Sequence, residues 1–303
     1  MKQKTIRLHV GVHKTATTYL QHYLLLNRSA LAKEGLAYWP MEDIRGQFQS
    51  AWDQCVLERY SRRERLISLI RRNRIFPKMR AWFELDRDIL LSEENLLGEC
   101  CDFFDGEIYP NAAARLACLA RALPNNKSVE IWLCLRSYPD FLASVYGEAS
   151  RFNQVPLPEA FAERHVNPEG AWPKLIDDIR IALPAAKLHI WDYEDFRSIE
   201  PRIIEGMTGV SASLLQSLQQ SNIRPSASDR AIRACAALPS EIQWPERMFQ
   251  MLVLEKLYPI QCSSDRFSPW TADQRIKMDA AWKRDRDLIA AREDIDFIDG
   301  LAR

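Results

Sequence analysis

An apolar segment near the beginning of the sequence runs directly into a helix start rich in lysine and threonine, and this junction most constrains the fold. Residues 5–12 read TIRLHVGV, and their apolar side chains predict a buried strand. The segment from Thr15 to Asn27 places apolar side chains on one helical face, which predicts a helix. A buried strand followed at once by a helix is typical of α/β proteins.

The loop between this strand and this helix has the residue types of an anion site. Gly11 permits a sharp turn and lets an anion approach the main chain. The first amide groups of a helix lack intrahelical partners, and the partial positive charge there favours phosphate. Lys14 adds a full charge, and the threonines add hydroxyl donors. We therefore predict a phosphate cradle made of Gly11, Lys14, Thr15, Ala16, Thr17 and Thr18.

Two alternatives to this interpretation remain open. One is a plain helix start in which Thr15 or Thr17 is the N-cap and Lys14 points to water. The other is a kinase-type P-loop, which requires a glycine immediately before the lysine. Here His13 precedes Lys14, so the ordinary P-loop motif does not match. A kinase or NTPase stays an alternative because Asp192, after the apolar segment KLHIW, is placed like a magnesium-binding acid.

The rest of the chain alternates between strand and helix patterns. Three further apolar segments predict strands: Asp88–Leu91, Val129–Leu135 and Lys187–Trp191. Helical patterns follow at Ala112–Ala122, Asp140–Ser150, Trp172–Ala182, Ile203–Met207, Leu214–Leu218, Ala231–Leu238, Met248–Leu257 and Ala272–Glu293. We predict a three-layer α/β/α fold around a central, mostly parallel sheet like that of P-loop nucleotide-binding proteins. The last third, from about Pro201, is expected to be helical, and residues 1–303 to form one domain.

Composition excludes several classes of partner. The 41 basic and 41 acidic side chains cancel, so no overall field attracts nucleic acid, and any anion must be held by a local site. No apolar run approaches the ~20 residues of a membrane span, and no signal segment is recognisable. The seven cysteines form no CxxC pair and are odd in number, which favours reduced thiols and a cytoplasmic protein. The sequence does not predict the oligomeric state.

A second candidate anion site follows the predicted strand Val129–Leu135. Arg136 stands at the carboxyl end of that strand, where ligands of open α/β sheets bind. If a helix starts near Pro139, Ser144 faces back toward Arg136 and completes a clamp of guanidinium and hydroxyl donors. The alternative is a structural ion pair of Arg136, for example with Asp140. Two anion sites on neighbouring strand ends indicate a ligand with two phosphate groups.

Four segments of the chain, in order, resemble the PAPS-dependent sulfotransferases of bacteria. GVHKTATTYL resembles their 5′-phosphosulfate loop, and Arg136 with Ser144 resembles the pair that holds the 3′-phosphate. LLSEENLLG resembles the turn that follows the second strand in this family, and DYEDF resembles the signature that follows the fourth strand. These two matches are less specific and only support the first two. Ala16 departs from the glycine that the family more often has, a change that costs little if the residue is helical.

The resemblance implies a donor, PAPS (3′-phosphoadenosine 5′-phosphosulfate), that is released as PAP (3′,5′-ADP). Lys14 and the threonines of the cradle would hold the 5′-phosphosulfate, and Arg136, Ser144 and the later loop residue Arg224 the 3′-phosphate. The sulfonate would move in line to a hydroxyl or amine of a carbohydrate or small-molecule acceptor, while Lys14 neutralises the bridging oxygen. No metal is expected, since the sequence has no compact carboxylate cluster.

The acceptor needs a general base, and the sequence offers three candidates. Glu94 is the first, because its turn follows a strand expected beside the first one. Glu93 is the second, since only one of two consecutive residues can face the site. His13, inside the loop, is the third. The alternative for the two acids is an exposed turn, and for the histidine a structural role in capping the loop.

Overall fold

Six parallel strands form one sheet in the computed structural model, which describes residues 3–53, 77–218 and 226–300. The strands are β1 (Thr5–Gly11), β2 (Leu36–Trp39), β3 (Asp88–Ser92), β4 (Ser128–Leu135), β5 (Lys187–Asp192) and β6 (Ile295–Ile298). Their order in the sheet is β2-β3-β1-β4-β5-β6. The predicted α/β fold with a parallel sheet is confirmed.

Helices connect the strands and cover both faces of the sheet. The first are α1 (Thr17–Leu26), α2 (Arg28–Lys33), α3 (Met41–Asp53) and α4, described over residues 77–83. The central ones are α5 (Ala112–Ala120), α6 (Tyr138–Ala149), α7 (Pro158–Arg164), α8 (Ala171–Ala182) and α9 (Phe196–Thr208). The last are α10 (Asp229–Ala236), α11 (Glu246–Leu257) and α12 (Ala272–Ala290).

Alternating side chains of the strands build two apolar cores, one on each face. Trp132 and Cys134 of β4 pack with α1 and α9, whereas Ile131 and Leu133 pack with α5, α6, α8 and α12. This alternation is the period-two pattern of a strand buried on both faces. Helix, sheet and helix therefore form the three layers that the sequence predicts.

The differences from the sequence prediction concern short or weakly patterned segments. Both edge strands, β2 and β6, were not predicted, because four residues carry too little periodicity to be distinguished from a loop. Leu214–Leu218 is not a helix: a 3₁₀ turn spans Ala212–Leu214, and the chain continues without helical structure to residue 218. The C-terminal third is otherwise helical, apart from β6.

The cysteines differ in part from the expectation of reduced thiols. Cys118 is disulfide-bonded, so that expectation is wrong for this residue. The pairing of cysteines cannot be deduced from sequence alone, which explains the error. In the described segments the cysteines outside disulfides are Cys100, Cys101, Cys134, Cys235 and Cys262. None of the described helices is long and apolar enough to cross a membrane.

The order of the strands brings three loops together at one edge of the sheet. β1 lies between β3 and β4, pairing His9 with Ser92 on one side and Gly11 with Leu133 on the other. The chain after β1 crosses to the β2 side, and the chain after β4 continues to β5 on the other side. Such a change of direction at the carboxyl ends of parallel strands is where α/β proteins bind ligands.

Candidate functional site

A cavity of about 1330 Å³ opens at this edge of the sheet. Its wall combines residues after β1, β3 and β4. The predicted site residues on this wall are His13, Lys14, Ala16, Thr17, Thr18, Glu94, Arg136 and Ser144. Gly11, Thr15 and Glu93 lie behind the wall, and Arg224 falls outside the described residues.

The loop after β1 adopts a backbone that leaves the start of α1 open. Gly11 has φ +95°, and a Cβ there would lie 3.0 Å from Cβ of Glu94, so the position requires glycine. Lys14 and Ala16 both have left-handed backbones, with φ values of 63° and 62°. Ala16 is the N-cap of α1, and no described side chain caps the helix. The alternative of a helix capped by Thr15 or Thr17 is therefore not what the structure has, and the first amides of α1 remain for an anion.

Ala16 is not helical, so replacing the family's usual glycine by alanine is not free of cost at this position. The residue precedes the helix in a left-handed conformation. An L-residue with a Cβ pays roughly 1–2 kcal/mol for this conformation, and glycine does not. We expect Ala16→Gly to raise the free energy of unfolding by about 1 kcal/mol in a urea titration. The matched change Ala114→Gly, on the exposed face of α5, should lower it by a similar amount. A loss of stability in Ala16→Gly would contradict the left-handed assignment.

Two of the three threonines hold the loop itself. The Thr15 hydroxyl donates to the Val12 carbonyl at 2.6 Å, and the Thr17 hydroxyl donates to the same oxygen at 3.2 Å. Thr15 is fully buried, whereas Thr18 is exposed on the cavity wall. Of the predicted hydroxyl donors, Thr18 is therefore the one that faces solvent, and the other two shape the cradle.

Lys14 lies on the cavity wall in an ion pair that the sequence analysis missed. Its Nζ donates to Oε2 of Glu148 in α6 at 3.0 Å, and Glu148 also lines the cavity. The two side chains retain 32% and 22% of their exposure, so water and ligands reach both. Glu148 stands four residues after Ser144, on the same face of α6. That spacing was the one signal in the sequence that could have indicated it.

Arg136 joins the two predicted anion sites. Its NH1 donates to the backbone carbonyl of Lys14 at 2.8 Å, and its guanidinium carbon lies 4.6 Å from the ring centre of Tyr193. Its buried Nε has no hydrogen-bond partner among the described residues. Asp140 instead accepts from Arg275 at 2.9 Å and from Ser137 at 3.0 Å. The alternative of an Arg136–Asp140 ion pair is thus not what the structure has.

The two glutamates after β3 have different environments. Glu93 is 1% exposed and accepts both donors of the Arg45 fork, at 2.7 and 2.8 Å. Its carboxylate also accepts from the Asn95 amide at 2.9 Å, which caps the 3₁₀ turn Glu94–Leu96. Burial raises the pKa of Glu93, and Arg45 opposes that rise. Glu93 therefore stabilises the loop after β3.

Glu94 is the glutamate that faces the cavity. Its carboxylate accepts from Gln21 at 3.1 Å and from Arg45 at 3.3 Å, and its Cβ stands against Gly11. The Gln21 amide also donates to the Ser92 carbonyl, which fixes the donor's orientation. A carboxylate held beside the cradle in this way is positioned to accept a proton from a bound acceptor.

His13 has both ring nitrogens in hydrogen bonds. Its Nε2 lies 3.1 Å from Oδ1 of Asn95, which as an acceptor requires a proton on Nε2. The Nδ1 atom then accepts from the Tyr109 hydroxyl at 2.7 Å, and the same hydroxyl oxygen accepts from the His13 amide at 2.9 Å. Burial lowers the pKa of His13, so the ring is neutral at pH 7. This arrangement anchors the loop to Tyr109.

Asp192, on which the kinase alternative depends, is not part of the cavity wall and is paired with an arginine. It is buried at the end of β5 and accepts from Arg286 of α12. Burial raises the pKa of its carboxyl to about 6, despite the opposing effect of Arg286. Across the described segments, no group of three or more His, Cys, Asp and Glu side chains is arranged to hold a metal ion.

Neither the models of protein families nor the curated proteins gave a match to this chain.

Proposed function

We propose that this chain is a PAPS-dependent sulfotransferase that moves a sulfonate group to a hydroxyl or amine of a carbohydrate or small-molecule acceptor and releases 3′,5′-ADP. The observation that carries the proposal is the pair of anion-binding groups in one cavity. Lys14 stands at the uncapped start of α1, and Arg136 stands at the end of the adjacent strand. The 2.8 Å bond from Arg136 to the Lys14 carbonyl fixes one site relative to the other. A nucleotide with phosphates at both the 3′ and 5′ positions matches two such sites.

The residues present suit this nucleotide. The first amides of α1 and the Lys14 ammonium are donors for the 5′ group, and Thr18 adds an exposed hydroxyl. Arg136 and Ser144 lie on the same cavity wall, where a guanidinium and a hydroxyl are donors for the 3′-phosphate. Tyr193 stacks on the guanidinium and restrains its orientation.

The proposed chemistry is an in-line displacement at sulfur, for which PAPS supplies the activated sulfonate. The chain contributes position and charge. Lys14 stabilises the negative charge that develops on the leaving phosphate oxygen, a form of electrostatic catalysis. Glu94 accepts the acceptor's proton, with Gln21 and Arg45 holding its two oxygens. His13 and Glu93 keep the loops around these groups in place.

Replacing Glu94 with glutamine tests its role as the base. We expect transfer to fall by roughly 10²–10⁴-fold, because the amide cannot take up a proton. Binding of 3′,5′-ADP should stay within about twofold, since Glu94 is not assigned to the nucleotide. The exposed Glu107 provides a matched control, and Glu107→Gln should keep full activity. Undiminished transfer in Glu94→Gln would exclude Glu94 as the base.

Thermal unfolding in the presence of nucleotides tests the ligand assignment. At ~100 times its dissociation constant a ligand stabilises the folded state by about 2.7 kcal/mol. We expect 3′,5′-ADP to raise the melting temperature of the wild type, and Lys14→Ala and Arg136→Ala each to reduce this effect. Stabilisation by ATP with Mg²⁺ but not by 3′,5′-ADP would favour the kinase or NTPase instead. Binding of 3′,5′-ADP without transfer to any of a panel of glycans, alcohols and amines would favour a non-catalytic nucleotide-binding protein.

A further inference from the structure

We propose that Glu148 is an internal competitor for Lys14 that keeps single inorganic anions, such as phosphate and sulfate, out of the cradle. The inference rests on the two-anion site proposed above and assigns a selectivity role to a residue that the proposed reaction does not use. The Glu148 carboxylate accepts a hydrogen bond from the Lys14 ammonium at 3.0 Å, and a tetrahedral anion in the cradle would need that same ammonium group.

A second cation lies next to the carboxylate of Glu148. Arg151 Nε lies 3.6 Å from Oε2 of Glu148, and the Arg151 side chain is only 7% exposed. Arg151 in turn pairs with Glu255 of α11. When Lys14 turns away, Glu148 therefore still has a cationic neighbour and remains a carboxylate beside the cradle.

An anion that enters the cradle meets two costs. It must take Lys14 away from Glu148, and it then lies next to a negative carboxylate. Both side chains of the pair are partly exposed, so breaking the pair is a small cost, and the like-charge contact adds to it. Inorganic phosphate has only Lys14, the α1 amides and Thr18 to compensate these costs.

A ligand with a second anionic group has a further source of binding energy. Arg136 lines the same cavity and provides a guanidinium charge for that group. A ligand that reaches both Lys14 and Arg136 can therefore displace Glu148 more readily than phosphate or sulfate can. Glu148 thereby lowers the occupancy of the cradle by weakly held single anions, while the two-anion nucleotide still binds.

Calorimetric titration of the full chain with three probes tests this proposal. Inorganic phosphate probes the cradle alone, adenosine 3′-phosphate probes the Arg136 site alone, and 3′,5′-ADP probes both. In Glu148→Gln we expect phosphate to bind about tenfold more tightly than in the wild type. Adenosine 3′-phosphate should bind equally to both proteins. Glu159→Gln, which removes an exposed carboxylate paired with Arg233, should leave all three affinities unchanged.

Damage to the fold would weaken phosphate binding, so tighter binding in Glu148→Gln cannot result from misfolding. If Glu148→Gln does not fold, Glu148→Ser removes the same carboxylate and is expected to give the same gain. Unchanged or weaker phosphate binding in the folded variant would overturn the proposal. Failure of the wild type to bind 3′,5′-ADP, together with tighter phosphate binding in Glu148→Gln, would reject the sulfotransferase assignment while leaving the role of Glu148 intact.

Discussion

Replacing Lys14 with alanine is expected to lower sulfonate transfer by about 10²–10³-fold and to leave the fold intact. The reason is that an ammonium group directed at a developing oxyanion contributes roughly 3–4 kcal/mol to the transition state. The ion pair lost with Glu148 is partly exposed, so it costs the folded state about 1 kcal/mol or less. The measurement is kcat with saturating donor, together with the free energy of unfolding in urea.

The matched control for this variant is Lys33→Ala. Lys33 is an exposed lysine at the end of α2 and is not part of the cavity wall. It should keep wild-type kcat. Loss of activity in Lys14→Ala that parallels loss of folded protein would assign Lys14 a structural role, and a kcat within threefold of the wild type would exclude it from the reaction.

Replacing Arg136 with alanine is expected to abolish the preference for a 3′-phosphate. Hydrogen bonds to charged groups contribute about 1.5–3 kcal/mol each, so the affinity for 3′,5′-ADP should fall roughly 10–100-fold. The affinity for 5′-AMP, which lacks the 3′-phosphate, should change less, because it loses only the indirect support that Arg136 gives the Lys14 carbonyl. Calorimetry with both nucleotides measures the ratio directly.

Two further variants sharpen the test of Arg136. Arg136→Lys keeps the charge but loses the planar fork and its stacking on Tyr193, so it should recover only part of the preference. Arg202→Ala, which removes an exposed arginine bonded to the Asp299 carbonyl, should behave as the wild type. An unchanged affinity ratio in Arg136→Ala would place the 3′-phosphate elsewhere.

Much of the fold followed from local patterns in the sequence. Most positions of β1, β3, β4 and β5 are buried and many carry apolar side chains, so the apolar pattern of each strand was a sufficient signal. The short edge strands carried no such signal. The conformation of Ala16 was not predicted either, since alanine gives no indication of a left-handed backbone.

The candidate site was predictable as a set of residues but not as a set of contacts. The positions of Lys14 and Arg136 at strand ends follow from the order of elements. The pair between Lys14 and Glu148 joins residues 134 positions apart and depends on β1 lying beside β4. The choice between Glu93 and Glu94 depends on Arg45, a residue of α3 that no pattern connects to the turn. Such contacts require the tertiary arrangement.

Transfer from labelled donors tests the central claim most directly. The wild type is incubated with PAPS labelled at sulfur and, separately, with ATP and Mg²⁺ labelled at the γ-phosphate, using the same panel of glycans, alcohols and amines, with Lys14→Ala as the blank. The account predicts sulfur label in an acceptor product, one molecule of 3′,5′-ADP released per label transferred, and no phosphorus transfer. Phosphorus label in the product, with none from PAPS, would contradict it.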